Sequence, residues 1–552
     1  MQVNNLNKKV SKIDTFFDNF FEILLFLAII SLTFIFILWP IICVIKESFL
    51  IEGKFSLELY KNLIHDNKQL IYNSIFVGIL TTIFATIISL SISIYISFSS
   101  SRMQKILMLI LMITMISPPF VSSLAYINLF GRRGFITHHL LKLTINPYGW
   151  GGIVIMETIS NISLNSLLLI GIIKGIDKNL LMASQDLGSS SSYAIKKVLI
   201  PIIKPGIIVC ALLTFIRSLA DFGTPMIIGG PFNVLATEVY MKIIAGGNIS
   251  MASAMSVLIL IPALTAFFVY RIYMKKFSLN LSGNNKIIST DTVFKIKGLL
   301  NIILSIVTLS YIVVMLLQYL TIFISSISKY KHNKFMFTFE HYIKLENFNL
   351  NCFIRSIVYA FIVGVLGSIL GMLIAYFTER KNIRCMKFVD FVSTLPYIIP
   401  GAFFGIGYIL AFNNPPLELT GTVSIVILNC IFKQMPMTTK VSTAVISQIN
   451  GDIEYAARDL GAKSIYVVRD IIFPNLKRAF ALGFINNFTS TMTTVGSIIF
   501  LVYPGQKVAT LEMFDAIQTG NYGVGAAIAT IIILITLIVN LVFSKFILRE
   551  KR

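Results

Sequence analysis

Long apolar runs with almost no charge dominate the chain. Phe20–Ile45, Ile75–Ile96 and Ile357–Tyr376 each hold at most one charged residue over 20 or more positions. Helices in a soluble core alternate apolar and polar faces, whereas a run of this length crosses a hydrocarbon layer of roughly 30 Å as one helix. Runs of this kind predict about twelve transmembrane helices, over residues 20–46, 72–98, 104–130, 151–173, 198–228, 251–273, 298–325, 353–377, 386–411, 421–446, 472–498 and 523–548. The fold class this predicts is an all-α polytopic membrane protein.

The most polar interruption, SLNLSGNNKIISTDTVFKIK at Ser278–Lys297, is rich in Ser, Asn and Gly and predicts a linker between two six-helix halves, 1–277 and 298–552. An even number of crossings returns the second half to the same side, so the halves are expected to be parallel repeats rather than inverted ones. Internal repetition supports the division. A shift of 273 positions brings Ala183 onto Ala456, Leu187 onto Leu460, Gly188 onto Gly461, Pro201 onto Pro474, Phe215 onto Phe488, Gly223 onto Gly496 and Ala236–Thr237 onto Ala509–Thr510. Earlier in each half the shift is 282, pairing Pro118 with Pro400, Tyr126 with Tyr408 and Phe130 with Phe412. The extra nine residues fall in Gly131–Trp150, the longer third outer loop of the first half.

Composition narrows the class. Of 552 residues 56% are hydrophobic and 13% charged, too few charges for the surface of a soluble domain. The net charge of +21 would suit nucleic acid, but the cations sit in short gaps between apolar runs: Lys8, Lys9 and Lys12; Arg102 and Lys105; Lys275 and Lys276; Arg380, Lys381, Arg384 and Lys387; Lys545, Arg549, Lys551 and Arg552. Alternate gaps carry the excess, as retention of Lys and Arg on the inner side predicts, with both termini and the linker cytoplasmic. Anionic membrane lipid is the partner these cations need, and no basic domain remains for nucleic acid. The first apolar run is too long for a signal peptide and lacks a small-residue cleavage site, so it reads as a retained helix. Cys43, Cys210, Cys352, Cys385 and Cys430 show no pairing or metal-ligand spacing. His138 and His139 are adjacent, cannot share a helix face, and read as loop histidines.

Two inner-side loops carry the most information: LMASQDLGSSSSYAIKKVLIP at Leu181–Pro201 and EYAARDLGAKSIYVVRDIIFP at Glu454–Pro474. Each reads as a short amphipathic helix, a Gly break, a second short helix and a Pro opening the next span. This resembles the EAA loop of ABC importer permeases, in which Glu-Ala-Ala is followed by Gly and, about thirteen positions on, by Leu-Pro. Gly188 to Pro201 and Gly461 to Pro474 both span thirteen. The resemblance implies the type I ABC importer permease fold and a coupling role for Ala183, Asp186, Gly188 and Pro201 in one loop. In the other it implies that role for Glu454, Ala456, Ala457, Asp459, Gly461 and Pro474. Met182 and Tyr455 stand at the Glu position and Ser184 at the second Ala of the first copy. Glu454 lies one residue early.

The same resemblance implies a bacterial inner-membrane location and an extracytoplasmic substrate-binding protein. It also implies two copies of a cytoplasmic ABC ATPase holding the ATP and Mg, with no cofactor on this chain. More narrowly, Ala220–Tyr240, Leu395–Phe412 and Val495–Phe514 resemble duplicated iron(III)-type permeases, although permeases for phosphonates, thiamine, polyamines and sugar phosphates share similar runs. No G-x-x-x-x-G-K-[ST] loop occurs, so a nucleotide site of that kind is expected on a partner. Absence of H-E-x-x-H and G-x-S-x-G leaves a polytopic enzyme without a catalytic constellation. A channel or ion-coupled transporter is the rival class, which parallel repeats and paired EAA-like loops disfavour.

Ionisable side chains inside spans are costly and mark candidates for a substrate path. Arg217 and Asp221 are four apart on one helix face, near the outer side, and read either as path residues or as a mutual ion pair. Lys433, beside Gln434 and Pro436, faces a cavity or reaches a polar neighbour. Thr494 and Ser497 occupy the second-half positions of Asp221 and Thr224, which predicts an asymmetric path.

Overall fold

The computed structural model describes residues 23–549 apart from 52, 115–118, 133, 143–145, 283–293, 332–333, 348–349, 381–383, 451, 463–465 and 504. Pro118, Lys8, Lys9, Lys12, Lys381, Lys551, Arg552 and most of the linker therefore lie outside the described residues, as do the side chains of His139, Lys275, Lys276 and Arg384.

The described chain is almost wholly helical, with two short hairpins, β1 (Leu50–Ile51) with β2 (Lys54–Phe55) and β3 (Ser328–Lys331) with β4 (Lys334–Phe337). Eight helices among the described residues are long and apolar enough to cross a membrane. They are α1 (Ile23–Glu47), α2 (Lys68–Phe98), α5 (Trp150–Lys174), α7 (Ser191–Ala220), α10 (Ile249–Ser282), α11 (Leu299–Ser326), α12 (Asn351–Glu379) and α19 (Tyr522–Arg549). Taken together, α13 (Arg384–Ile398) and α14 (Gly401–Phe412), bent by 115° at a short break, are long and apolar enough to make a ninth.

The other expected spans fall outside this length-and-hydropathy measure for reasons that differ by helix. In the run at 104–130 the described residues form α3 (Ser101–Thr114) and α4 (Pro119–Phe130), and residues 115–118 lie outside them. The tenth run is one helix, α15 (Val423–Ile446), but Asn429, Lys433, Gln434 and Lys440 make it too polar to qualify. The eleventh is only 17 residues, α17 (Lys477–Thr493). Such helices are screened by protein rather than lipid, so apolar runs alone undercount their polarity. The predicted span 198–228 likewise ends at Ala220, and Gly223–Ile228 forms a separate helix, α8.

The chain forms two compact units that do not follow the two sequence halves. One unit comprises residues 1–46, 351–509 and 535–552; the other comprises 47–350 and 510–534. Each half thus gives its first helix to the unit built from the other half's remaining spans, and α19 is divided between them. In the first unit α1 lies against α14 and α15. Phe36 sits 5.4 Å from Phe412 and stacks on Phe432 at 5.1 Å. The π-helical turn Phe34–Leu38 contains Phe36, whose carbonyl accepts the Tyr408 hydroxyl at 2.8 Å. In the other unit α11 lies against α2, α4 and α5, where Tyr311 bonds Ser163 at 2.5 Å and Asn128 donates to Ser325 at 3.0 Å. Beyond α11 the loop is tied by Glu340, which bonds Lys329 and Lys344; those two ammonium groups hold its carboxyl down at about 2.

Repeat symmetry is visible inside each unit. Asn73 donates to the Asn233 carbonyl and Ser74 accepts from the Leu235 N–H. Their counterparts are Arg355 on the Lys507 carbonyl and Ser356 with the Ala509 N–H. These pairs fix the shift at 282 for the first partner and 274 for the second. Alignment of Ala236–Thr237 with Ala509–Thr510 is therefore one residue out: the second half has one more residue between its fifth span and α18 (Ala509–Gln518) than the first has before α9 (Leu235–Ile244).

The α1–α14 contact generates a test. A Cβ on Gly407 would lie 2.8 Å from the Pro40 carbonyl oxygen, whereas one on Gly171 meets nothing within 4 Å. Gly407→Val should cost on the order of 1–3 kcal/mol and lower the melting temperature in detergent, while Gly171→Val leaves it nearly unchanged. Equal melting temperatures for the two variants would remove this contact as a stabilising one.

Paired coupling loops and a polar interior

Two short helices, α6 (Asn179–Asp186) and α16 (Asp452–Asp459), occupy matching places in the two halves. Each ends in the same turn. Gly188 has φ +88° and Gly461 φ +85°, a conformation that only glycine adopts without strain. Leu187 and Leu460 N–H groups bond the Ala183 and Ala456 carbonyls, and Ser189 and Ala462 reach back to Ser184 and Ala457. This reach of five residues closes the helix end around the left-handed glycine. Beyond it, π-helical turns at Ile195–Leu199 and Val467–Ile472 run straight into Pro201 and Pro474. Proline lacks an N–H and its ring crowds the carbonyl four residues back, so a wider turn accommodates it.

The exposed faces also match. Ala183, Asp186, Pro201, Ala456, Asp459 and Pro474 are exposed and Ala457 is half-buried. Leu187 and Leu460 are 90% and 89% exposed, an unusual state for leucine at two equivalent positions. The sequence repeat had paired these leucines without showing which way they face. Arg458 and Tyr455 side chains lie outside the described residues.

The inner faces differ. Glu454 is buried, not presented at the surface; its Oε1 lies 2.9 Å from Arg380 Nε, off the hydrogen-bonding line, so the contact is chiefly electrostatic. Arg380 Nη2 also donates to the Ile446 and Ile449 carbonyls at 3.2 and 2.6 Å. One guanidinium thus joins the end of α12, the end of α15 and the coupling helix. At the equivalent first-half positions stand Phe98 and Leu181, both buried in one apolar cluster with Ile195, Leu199 and Phe294. An ion pair in one repeat is replaced by hydrocarbon in the other.

The interior candidates are brought together unevenly. Asp221 caps the break after α7: its Oδ1 accepts the Gly223 and Thr224 N–H groups at 2.9 and 3.2 Å. Arg217 points to an exposed face one turn away, and Thr224 is buried behind the carboxylate. Lys433 reaches the Pro396 and Ile399 carbonyls and lies 5.7 Å over the Phe404 ring. Of its two readings, the polar neighbour is the one seen. Thr494 ends α17 as Asp221 ends α7, with matching N–H bonds to Thr491 and Ser218. Ser497 is buried with no partner for its hydroxyl.

Glu157, absent from the sequence candidates, is 2% exposed on α5. Its Oε2 accepts from Thr81 at 3.2 Å and from Ser218, while Oε1 has no partner. Ser218 also accepts the Asp221 N–H on its carbonyl, so one serine touches both acidic residues, Glu157 through its hydroxyl and Asp221 through the backbone. The signal was available: a lone carboxylate seven residues into an apolar run. Deeper in the same unit Asn165 donates to Thr214 at 2.6 Å. In the other unit the same two positions carry Thr438 and Asn487, with the Asn487 carbonyl accepting from Thr438 at 3.1 Å once its amide is turned to satisfy both ends. The two residue types have exchanged helices, while the donor stays on the equivalent span, α5 in one unit and α15 in the other.

Twin short helices closed by left-handed glycines, one in each of two repeats of apolar spans, point to a class of transport subunit. Residues 88–281 and 365–548 each match the binding-protein-dependent transport system inner membrane component family, and the chain belongs to it. It is a multi-pass inner-membrane transport permease. Over 538 residues it is 30% identical to the ferric transport system permease protein FbpB of Actinobacillus pleuropneumoniae, covering 94% of this chain and 77% of that one. It is 29% identical over 506 residues to a ferric transport system permease protein, FbpB 1, of Haemophilus influenzae, covering 87% and 78%. Similarity to the sulfate transport system permease protein CysT of Salmonella typhimurium is narrower, 23% over 208 residues and 35% of this chain.

The Arg380–Glu454 contact is testable alone. Removing one member of a largely buried pair strands the other, at a cost on the order of 3 kcal/mol. Arg380→Ala should lower the melting temperature more than Glu454→Gln, because it also frees two carbonyls. The exchange Arg380→Glu with Glu454→Arg should recover part of the loss, and additive effects in the double variant would sink the pairing.

Proposed function

We propose that this chain is the membrane-spanning subunit of an ATP-driven importer whose cargo is ferric iron, delivered by a binding protein on the outer side. Two copies of a cytoplasmic ABC ATPase, holding ATP and Mg, dock on α6 and α16, and both chain termini lie on that side. The single observation carrying this reading is the pair of left-handed glycine turns, each presenting a bare leucine. A leucine exposed at about 90% in both repeats is best explained by a partner surface that covers it.

Cargo follows from two supports. Both long-range relatives are ferric permeases matching nearly the whole chain, whereas the sulfate permease covers about a third of it. A buried Glu157 that shares Ser218 with Asp221 also suits a cationic or metal-bearing cargo and opposes an anionic one. Arg217, Asp221, Thr224, Thr494 and Ser497 are proposed to line the route with Glu157, the carboxylates on one side only. Lys433 is proposed to hold the bend of α13 and α14 beside it.

In this mechanism the ATPases, closing on ATP, draw the two coupling helices with them. Through Glu454 and Arg380 the pull reaches α12 and α15 together. Through Leu181 and Phe98 it reaches α2. Neither anchor involves the exposed leucine, so docking and transmission use opposite faces of the same short helix.

Two outcomes are expected. A Cβ at Gly188 or Gly461 meets nothing within 4 Å, so Gly188→Val and Gly461→Val act only through backbone strain, about 1–3 kcal/mol. Both should express normally and lose binding-protein-stimulated ATP hydrolysis and uptake together, as should Leu187→Glu and Leu460→Glu; full stimulated activity in all four would remove the docking role. For cargo, the reconstituted complex should take up ferric iron and neither thiamine nor a phosphonate. Glu157→Gln should cut that uptake by about tenfold or more while folded protein stays constant. Uptake of an organic cargo without iron would overturn the substrate.

A further inference from the structure

The path from coupling helix to span is not the same in the two repeats. In the first, the chain runs unbroken through Ser191–Ala220. In the second, a three-residue helical turn at Phe473–Asn475 ends at Leu476 (φ −89°, ψ 0°) before α17 begins. Beside this kink lies a trough of about 650 Å³ against α12 and α19, walled almost entirely by apolar groups, among them Met372, Phe473, Phe480 and Phe543. Its rim carries three cations, Arg469, Lys477 and Arg478, against one carboxylate, Asp470, whose contact with Arg469 is a loose 3.5 Å between exposed side chains. At the matching first-half positions stand Lys196, Lys204 and Pro205, so the third cation belongs to the second repeat alone.

We propose that this trough binds an anionic phospholipid of the inner leaflet, one acyl chain lying along Met372, Phe480 and Phe543 and the phosphate among Arg469, Lys477 and Arg478. An apolar slot ending in clustered cations complements both parts of such a lipid, the acyl chain and the net negative headgroup. A soluble anion would leave the slot empty. The position gives the lipid a task. It fills the space opened by the kink between α16 and α17, so it stiffens the segment that transmits ATPase movement into the second repeat. Placement in the inner leaflet rests on α16 being the ATPase-docking helix.

The test uses the full permease with its ATPase in nanodiscs of phosphatidylcholine alone or mixed with phosphatidylglycerol. Native mass spectrometry of the released complex should show phosphatidylglycerol retained over phosphatidylcholine by on the order of tenfold. Arg469→Ala with Arg478→Ala should abolish that preference, and both the variant and the pure phosphatidylcholine discs should show several-fold lower stimulated ATPase with unchanged complex assembly. Equal retention of the two lipids by the unaltered protein, a comparison that needs no substitution, overturns the proposal. So does an unchanged preference in the double variant. Lipid retention does not depend on cargo, so failure of ferric uptake would leave this result standing, and the reverse also holds.

Discussion

A helix that stops inside a membrane-embedded protein must have its open backbone groups answered by that protein, since lipid answers none. The interior of this chain is arranged around that requirement. At the α13–α14 bend, the Pro396 carbonyl would ordinarily accept from the N–H of residue 400, but that residue is proline and has none. The Lys433 ammonium reaches that carbonyl and the Ile399 carbonyl instead. At the α7–α8 break the situation is reversed: N–H groups of Gly223 and Thr224 are left over, and the Asp221 carboxylate takes both. A cation answers carbonyls and an anion answers amides, each at a broken helix end.

This explains why an ionisable residue in an apolar run is an ambiguous signal. The rule that such residues mark function flagged Asp221 and Lys433, and both have structural work at a break. It passed over Glu157, whose carboxylate retains an oxygen without a hydrogen-bond partner. What separates them is not charge or depth but whether a neighbouring backbone needs them, and that depends on where helices break. The sequence carried the breaks only as Pro400 and Gly223, residues with several other uses.

Other features divide along the same line. The coupling loops were legible because their geometry is local: a left-handed glycine thirteen residues before a proline fixes turn, π bulge and span entry within one stretch of chain. The exchange of first helices was not legible, because an apolar face on α1 or α11 specifies burial and not which helix will bury it. α15 and α17 fall outside the length-and-hydropathy measure of a span, the first through its polar residues and the second through its 17-residue length. The one-residue slip before α18 falls after Pro231 and Pro504, which still match at the shift of 273.

Where the repeats can be compared, position is kept and chemistry is not. Asn165 with Thr214 becomes Thr438 with Asn487, and the buried join between coupling helix and second span is Leu181 with Phe98 in one unit and Glu454 with Arg380 in the other. These exchanges preserve the contact because only the pair must be complementary, so either helix can carry either member. Glu157 is different. Its counterpart is Cys430, and Val363 stands where Thr81 supplies a donor, so no complementary swap has occurred. A duplication held together by pairwise contacts drifts freely as long as both members change together. Glu157 sits in a constellation with no counterpart in the other repeat, and that asymmetry is the internal reason behind the proposal that the cargo-facing chemistry lies in the first repeat.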